Sequence, residues 1–273
     1  MYGQDDKYKS IGVFDSGLGG LTVVKELIRQ LPGEDIVYYG DTARVPYGTK
    51  SRESIIRFSI ENANVLLKHH VKMIVVACNS CSSYALSILR KSFDVPVVGV
   101  IEAGAKKSVS VTENKKIGVI ATQATIASQK YVKTIKNFNH TANVLSQPCP
   151  LFVPLVEEGW LNKKVTLNVA SLYLKKLKSA GVDTLILGCT HYPLLKSTLN
   201  KVMGDSVTLI DSAQEVAREV KELLGQLQIR NLSRKKGFCK FLVSDKPQEF
   251  KKIARRFLGF EIKNPIRVEN HKA

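Results

Sequence analysis

Two cysteines stand where apolar runs stop. In "VKMIVVACNSCSSYAL", Val71 to Leu86, the run ends at Cys78 and small polar residues follow. In "DTLILGCTHYPLL", Asp183 to Leu195, it ends at Cys189, with Thr190 and His191 directly behind. A thiol is an acid–base group whose pKa moves toward neutrality beside a helix N-terminus or a cation. Asp15, at the end of the run "IGVFD", and His191, two residues past Cys189, are candidate partners for the two thiols. Asn79, Ser80 and Thr190 can hold an anionic group beside the sulfurs. A nucleophilic hydrolase needs one thiol, one base and an oxyanion hole. Two equivalent thiols suit another chemistry, in which one removes a proton from one face of a stereocentre and the other delivers a proton to the opposite face.

The elements that must position these residues can be read from periodicity. "SIGVFDS", "DIVYYGD", "MIVVACN", "VPVVGVI", "KIGVIAT", "ANVLSQ", "TLILGCT" and "VTLID" read as strands, apolar on both faces. Amphipathic stretches lie between them, such as "LTVVKELIRQL", where Leu21, Val24, Leu27, Ile28 and Leu31 recur at helical spacing. This alternation predicts α/β architecture with mainly parallel sheets covered by helices on both sides. Two motifs recur in order: "IGVFDSG" from Ile11 returns as "IGVIATQ" 106 residues later, and "IVVACNS" from Ile74 returns as "LILGCTH" 111 residues later. A duplicated, doubly wound α/β unit is therefore expected, with residues 1–99 plus 211–273 in one domain and 100–210 in the other. Ligands of such sheets sit beyond the carboxyl ends of the strands, so Cys78 and Cys189 should face each other across a cleft between the domains.

The chain has 273 residues, 44% hydrophobic and 24% charged, ordinary for a water-soluble globular protein. The N-terminal "MYGQDDKYKS" carries no apolar signal segment, and no apolar run is long enough to span a bilayer, so a cytoplasmic location and no membrane partner are expected. Five cysteines, an odd number, argue against a disulfide framework. Cys78 and Cys81 form a single C-x-x-C without the second pair that a zinc site would need, so no metal is expected. Cys81, Cys149 and Cys239 read as small buried hydrophobes. A formal charge of +17, concentrated near "IRNLSRKKGFCKF" and "KPQEFKKIARR", raises the alternative of a nucleic-acid partner. No nucleic-acid motif accompanies it, and a general basic bias explains the charge equally well. Gly17, Gly19 and Gly20 lack the Walker lysine and are expected to serve tight strand-to-helix turning.

Across nearly the whole chain the ordered motifs "GVFDSGLGGLTV", "YYGDTARVPYG", "VVACNSCSS", "PCPLFVPLVEEG", "LGCTHYPLL" and "LIDSA" are present. With these the chain resembles the bacterial glutamate racemases of the cofactor-independent aspartate/glutamate racemase superfamily. "FLVSDKPQEFKKIARRFLG" resembles that family's C-terminal strand and helix. The resemblance implies interconversion of L- and D-glutamate without a cofactor, supplying D-glutamate for peptidoglycan, in a homodimer. An aspartate or hydantoin racemase is the alternative, and some family members are associated with DNA gyrase. Residue by residue, the resemblance makes Cys78 and Cys189 the acid–base thiols, working on the D- and L-glutamate faces respectively. It makes Asp15 and His191 their helpers and Glu157 a further carboxylate near Cys189. Ser16, Asn79, Ser80 and Thr190 match positions that hold the α-carboxylate and ammonium. Pro46, Tyr47 and Gly48 match the end that receives the side-chain carboxylate. Asp41 falls in a matching motif without an assigned role. The chain departs from the family in having "ACNSCSS" where Ala-Cys-Asn-Thr-Ala is common: Ser80 keeps the hydroxyl, and Cys81 adds a thiol that could close a silencing disulfide with Cys78.

Overall fold

The computed structural model describes residues 4–233 and 235–268; Met1 to Gly3, Arg234 of the basic stretch and the last five residues lie outside the described residues. All eight strands expected from periodicity form: β1 Ile11–Asp15, β2 Ile36–Gly40, β3 Met73–Val76, β4 Val97–Gly99, β5 Lys116–Ala121, β6 Asn143–Pro148, β7 Thr184–Gly188 and β8 Thr208–Asp211. The C-terminal motif supplies β9, Cys239–Val243, and the helix Pro247–Leu258, and a two-residue β10, Ile266–Arg267, follows. Every ladder is parallel.

The strands make two sheets, in the orders β10-β9-β2-β1-β3-β4 and β6-β5-β7-β8. The run β2-β1-β3-β4 matches β6-β5-β7-β8 strand for strand, so the sequence repeat is a repeat of topology. In each sheet the strand ending at a catalytic-candidate cysteine lies beside the strand that opens the repeat, β3 beside β1 and β7 beside β5. The switch point of each sheet therefore lies at its cysteine, where α/β sheets bind ligands.

Alternation along the first sheet sends Ile11, Val13, Tyr38 and Val75 to one apolar cluster and Phe14, Tyr39, Ile74 and Val76 to another on the opposite face. The first cluster does not stop at the unit boundary: it continues through Ile117, Val119 and Ile186 of the second sheet. The helix Ser212–Gln226 is the bridge, packing against both the helix Leu21–Gln30 and the helix Val100–Val111. Burial on both faces holds for most strands but not for β6, whose side chains are only partly covered because it is an edge strand. Among the described residues no helix is long and apolar enough to cross a membrane.

Candidate active site

A cavity of about 340 Å³ opens between the units at the carboxyl ends of the strands, and both Cys78 and Cys189 line it. Ser16, Pro46, Tyr47, Gly48, Asn79 and Ser80 line it from the first unit, and Glu157, Thr190 and His191 from the second. Asp15 lies behind this surface, fully buried. The repeat would also have found two lining residues absent from the sequence-based set. Thr122 and Gln123 follow β5 as Ser16 and Gly17 follow β1.

The two thiols have different surroundings. Cys78 is the residue before the helix Asn79–Tyr84, and Cys81 lies in that helix's first turn. The Cys81 thiol, hydrogen-bonded to the Cys78 sulfur, holds the Cys78 pKa below its ordinary value. Burial and the charge of Asp15 oppose it, while the Cys81 amide and the Ser16 hydroxyl, 3.7 Å from the sulfur, assist. Burial, together with that same bond, drives the Cys81 thiol far up, so it stays a neutral donor. Cys81 is thus more than the packing residue expected from sequence.

Cys189 has no comparable helix behind it. It is followed by a 3-10 turn, Tyr192–Leu195, and the α-helix starts only at Lys196, so a helix N-terminus is not what acts on this thiol. Its partner is His191, whose Nδ1 lies 3.9 Å from the sulfur while Nε2 pairs with Glu157 Oε1 at 3.0 Å. Burial works against a charged imidazole here, but Cys189 and Glu157 outweigh it and raise His191 to about 10. Phe257 closes the ring's other side, edge-on at 5.4 Å between centroids.

Asp15 accepts hydrogen bonds from the Gly17 amide at 2.9 Å and from the Thr190 hydroxyl at 3.4 Å. Burial raises its pKa against the pull of the His191 imidazolium and these donors. It reaches Cys78 through its charge, and its bonds tie the two units together. Ser80, Thr122 and Thr125 form a second tie, a triangle of hydroxyls 3.1–3.2 Å apart. The Asn79 carbonyl oxygen is taken by Tyr131 Oη at 2.8 Å, so its NH₂ end is what it offers the cavity.

The glycines after β1 serve close approach and not turn conformation. None has a positive φ. A Cβ on Gly19 would lie 2.1 Å from Thr190 Oγ1 and 2.5 Å from His191 Nδ1. One on Gly20 would lie 2.5 Å from Asp15 Cβ. Among the described residues no cluster of three or more His, Cys, Asp or Glu is placed to hold a metal ion.

An α/β fold of two repeated units with a cysteine from each in one cavity is the arrangement that a two-base acid–base protein needs. Similarity to known proteins agrees. Residues 11–220 match the Asp/Glu/Hydantoin racemase family. A glutamate racemase of Geobacter metallireducens is 49% identical over 96% of this chain and 97% of its own. The crystal structure of a glutamate racemase isoform from Bacillus anthracis superposes with a TM-score of 0.92, at 39% identity over 96% of this chain and 98% of that one. The glutamate racemase of Francisella tularensis, crystallised with D-glutamate, gives 0.91 at 39% identity over 97% and 99%. The chain belongs to the Asp/Glu/Hydantoin racemase family.

Proposed function

We propose that the chain interconverts L- and D-glutamate through Cys78 and Cys189, with no pyridoxal phosphate, and so supplies D-glutamate for peptidoglycan. The observation that carries this reading is one cavity lined by two thiols on equivalent strand ends of a repeated fold. On L-glutamate the Cys189 thiolate takes the α-proton, leaving a carbanion. The Cys78 thiol then protonates the opposite face. The thiols finish with their protonation exchanged, so the reverse reaction starts from the product state.

His191, held as imidazolium with Glu157 behind it, lies against the Cys189 sulfur, and Cys81 favours the thiolate of Cys78. The Asn79 amide, with Ser16, Ser80 and Thr190, holds the α-carboxylate and ammonium, and the Pro46–Tyr47–Gly48 wall receives the distal carboxylate. Asp15 sets the electrostatics of Cys78 and the placement of Thr190. The domain division at residues 99/100 and 210/211 belongs to this reading; sheet membership supports the first cut, while β8 carries the second sheet one residue past the second cut, to Asp211. So do homodimer assembly and a cytoplasmic location, which sedimentation and cell fractionation test.

Circular dichroism of purified protein with L-glutamate, D-glutamate or either aspartate enantiomer, no cofactor added, tests the activity. Loss of optical rotation is expected with both glutamates; turnover of aspartate alone would replace glutamate as substrate. Cys78→Ser and Cys189→Ser should each lose nearly all racemisation, since a serine hydroxyl is too weak an acid at neutral pH. An analogue that expels a β-leaving group after α-proton removal needs only one thiol. Cys78→Ser should still eliminate from the L-analogue and Cys189→Ser from the D-analogue. Variants that treat both enantiomers alike would overturn the two-thiol scheme. A steep loss of DNA affinity with added salt would instead favour a nucleic-acid role for the basic surface.

A further inference from the structure

The motif "GDTARVPYG", Gly40 to Gly48, contributes Pro46, Tyr47 and Gly48 to the cavity wall, yet its Asp41 takes no part in proton transfer. Asp41 does not line the cavity and is fully buried. A buried carboxylate is costly unless its oxygens are satisfied by hydrogen bonds or ion pairs. Here both are. One oxygen accepts from the Tyr47 phenol and from Arg44 Nε, the latter at 2.6 Å. The other accepts from the Ser244 hydroxyl at 2.9 Å, and that hydroxyl in turn accepts from the Ala43 amide at 2.8 Å.

These bonds close into a ring. Arg44 pairs with Glu61, lies 4.0 Å from the centroid of the Phe58 ring, and donates to Asn62 Oδ1 at 3.3 Å. Asn62 Nδ2 returns to the Tyr47 phenol oxygen at 3.2 Å. The end of β2, the helix Arg52–Leu67 and the residue after β9 are thereby fastened to the back of the wall. Its front meets the second unit: a Cβ on Gly48 would come 2.8 Å from Thr122 Cβ, so the wall has no room to advance.

We propose that Asp41 is a positioning residue for substrate: through Tyr47 and Arg44 it holds the Val45–Gly48 wall where the distal end of the amino acid binds. The proposal rests on the racemase reading above. Both enantiomers share that distal end and differ only at the α-carbon, which the thiols of β3 and β7 address. Loss of the ring leaves the thiols in place and lets the wall move. Binding must then order it, a cost that falls on affinity for both enantiomers.

The test is Asp41→Asn, Tyr47→Phe and the double variant, with KM and kcat measured in both directions, D-glutamate binding measured by calorimetry, and Tm recorded. We expect KM for both enantiomers and the calorimetric Kd for D-glutamate to rise about tenfold, the size of one lost hydrogen bond to a charged group, with kcat within about threefold of wild type. The double variant should cost little more than the costlier single, because both act in one network. If Asp41→Asn does not fold, Tyr47→Phe, which removes one hydroxyl, carries the test. A lowered Tm with unchanged KM would make Asp41 merely structural, and a fall in kcat at unchanged KM would make it catalytic; either overturns the proposal. Wild-type protein that neither binds nor racemises glutamate would overturn the racemase reading, and this proposal with it.

Discussion

Cys81 is the neighbour with the largest effect in lowering the Cys78 pKa, and His191 Nδ1 lies 3.9 Å from the Cys189 sulfur. Removing the first in Cys81→Ala should let burial and Asp15 push Cys78 upward. A thiol pKa that climbs leaves less thiolate at neutral pH. The pH dependence of Cys78 alkylation in a Cys189→Ser background measures this directly. Its midpoint should move to higher pH with Cys81→Ala and less with Cys81→Ser, which keeps a donor; an unmoved midpoint would return Cys81 to packing. Rate comparison between directions is a poor substitute. The enantiomers have equal free energy in water, so kcat/KM must stay equal in both directions in any variant. For the second thiol, Glu157→Gln removes a cause of the raised His191 pKa, and NMR titration should place the imidazole below about 10. A raised histidine stabilises the fold fully below its ordinary 6.5, and that contribution is lost as pH rises through about 10. The Tm advantage of wild type over Glu157→Gln should therefore be present just below pH 6.5 and gone above pH 10. An advantage that grows with pH would refute the assignment.

The loop between β1 and the helix Leu21–Gln30 is an element whose shape is dictated by what lies across the cleft. Thr22 Oγ1 donates to the Thr190 carbonyl at 3.0 Å, drawing the start of that helix onto the Cys189–Thr190–His191 turn. Gly19 sits in the contact, where any Cβ collides with Thr190 and His191. Gly19→Ala should displace that turn and lower kcat/KM by roughly 10²–10⁴, the scale of a lost acid–base contribution. The sheets do not depend on this contact, so the far-ultraviolet spectrum should be retained. Near-wild-type activity would show that the turn yields at little cost. Sequence placed these glycines at a strand-to-helix junction but assigned them to turning; the surface that Gly19 approaches lies some 170 residues away along the chain.

At the scale of the molecule, the chain leaves the second unit through the helix Ser212–Gln226 and returns to the first sheet beside β2 as β9. A buried ion pair marks the return. Lys72 Nζ contacts Glu34 Oε2 at 2.5 Å and the Lys7 and Ile229 carbonyls at 2.8 and 2.9 Å. The other Glu34 oxygen accepts from the Asn231 amide at 2.7 Å. Burial pushes Glu34 up and Lys72 down, so each depends on the other to remain charged. Glu34→Ala should cost about 3–5 kcal/mol, the penalty for stranding one buried charge, and Lys72→Met with Glu34→Leu should recover much of it. Chemical denaturation measures both; a single variant within about 1 kcal/mol of wild type, on that same scale, would deny the clasp.

Much of the site was legible in sequence because its determinants are local. A strand's end and the repeat at offsets of 106 and 111 residues place Cys78, Cys189 and Asp15 without long-range information, while Ser16 came from the family resemblance. Carried one step further, the same repeat marks Thr122 and Gln123. The sequence by itself determined the strands, their parallel pairing and the candidate thiols, since backbone periodicity and burial of both sheet faces are written in neighbouring residues. The tertiary structure alone decided that Cys81 is the group that lowers the Cys78 pKa. Proton affinity depends on charges and donors within a few ångströms. For the Cys78 sulfur the donor is Cys81, while His191, beside Cys189, meets Glu157 from a different segment. It also decided that Asp41, Arg44, Tyr47 and Asn62 form a ring, because a hydrogen-bond network is closed by distance in space and not by separation in the chain.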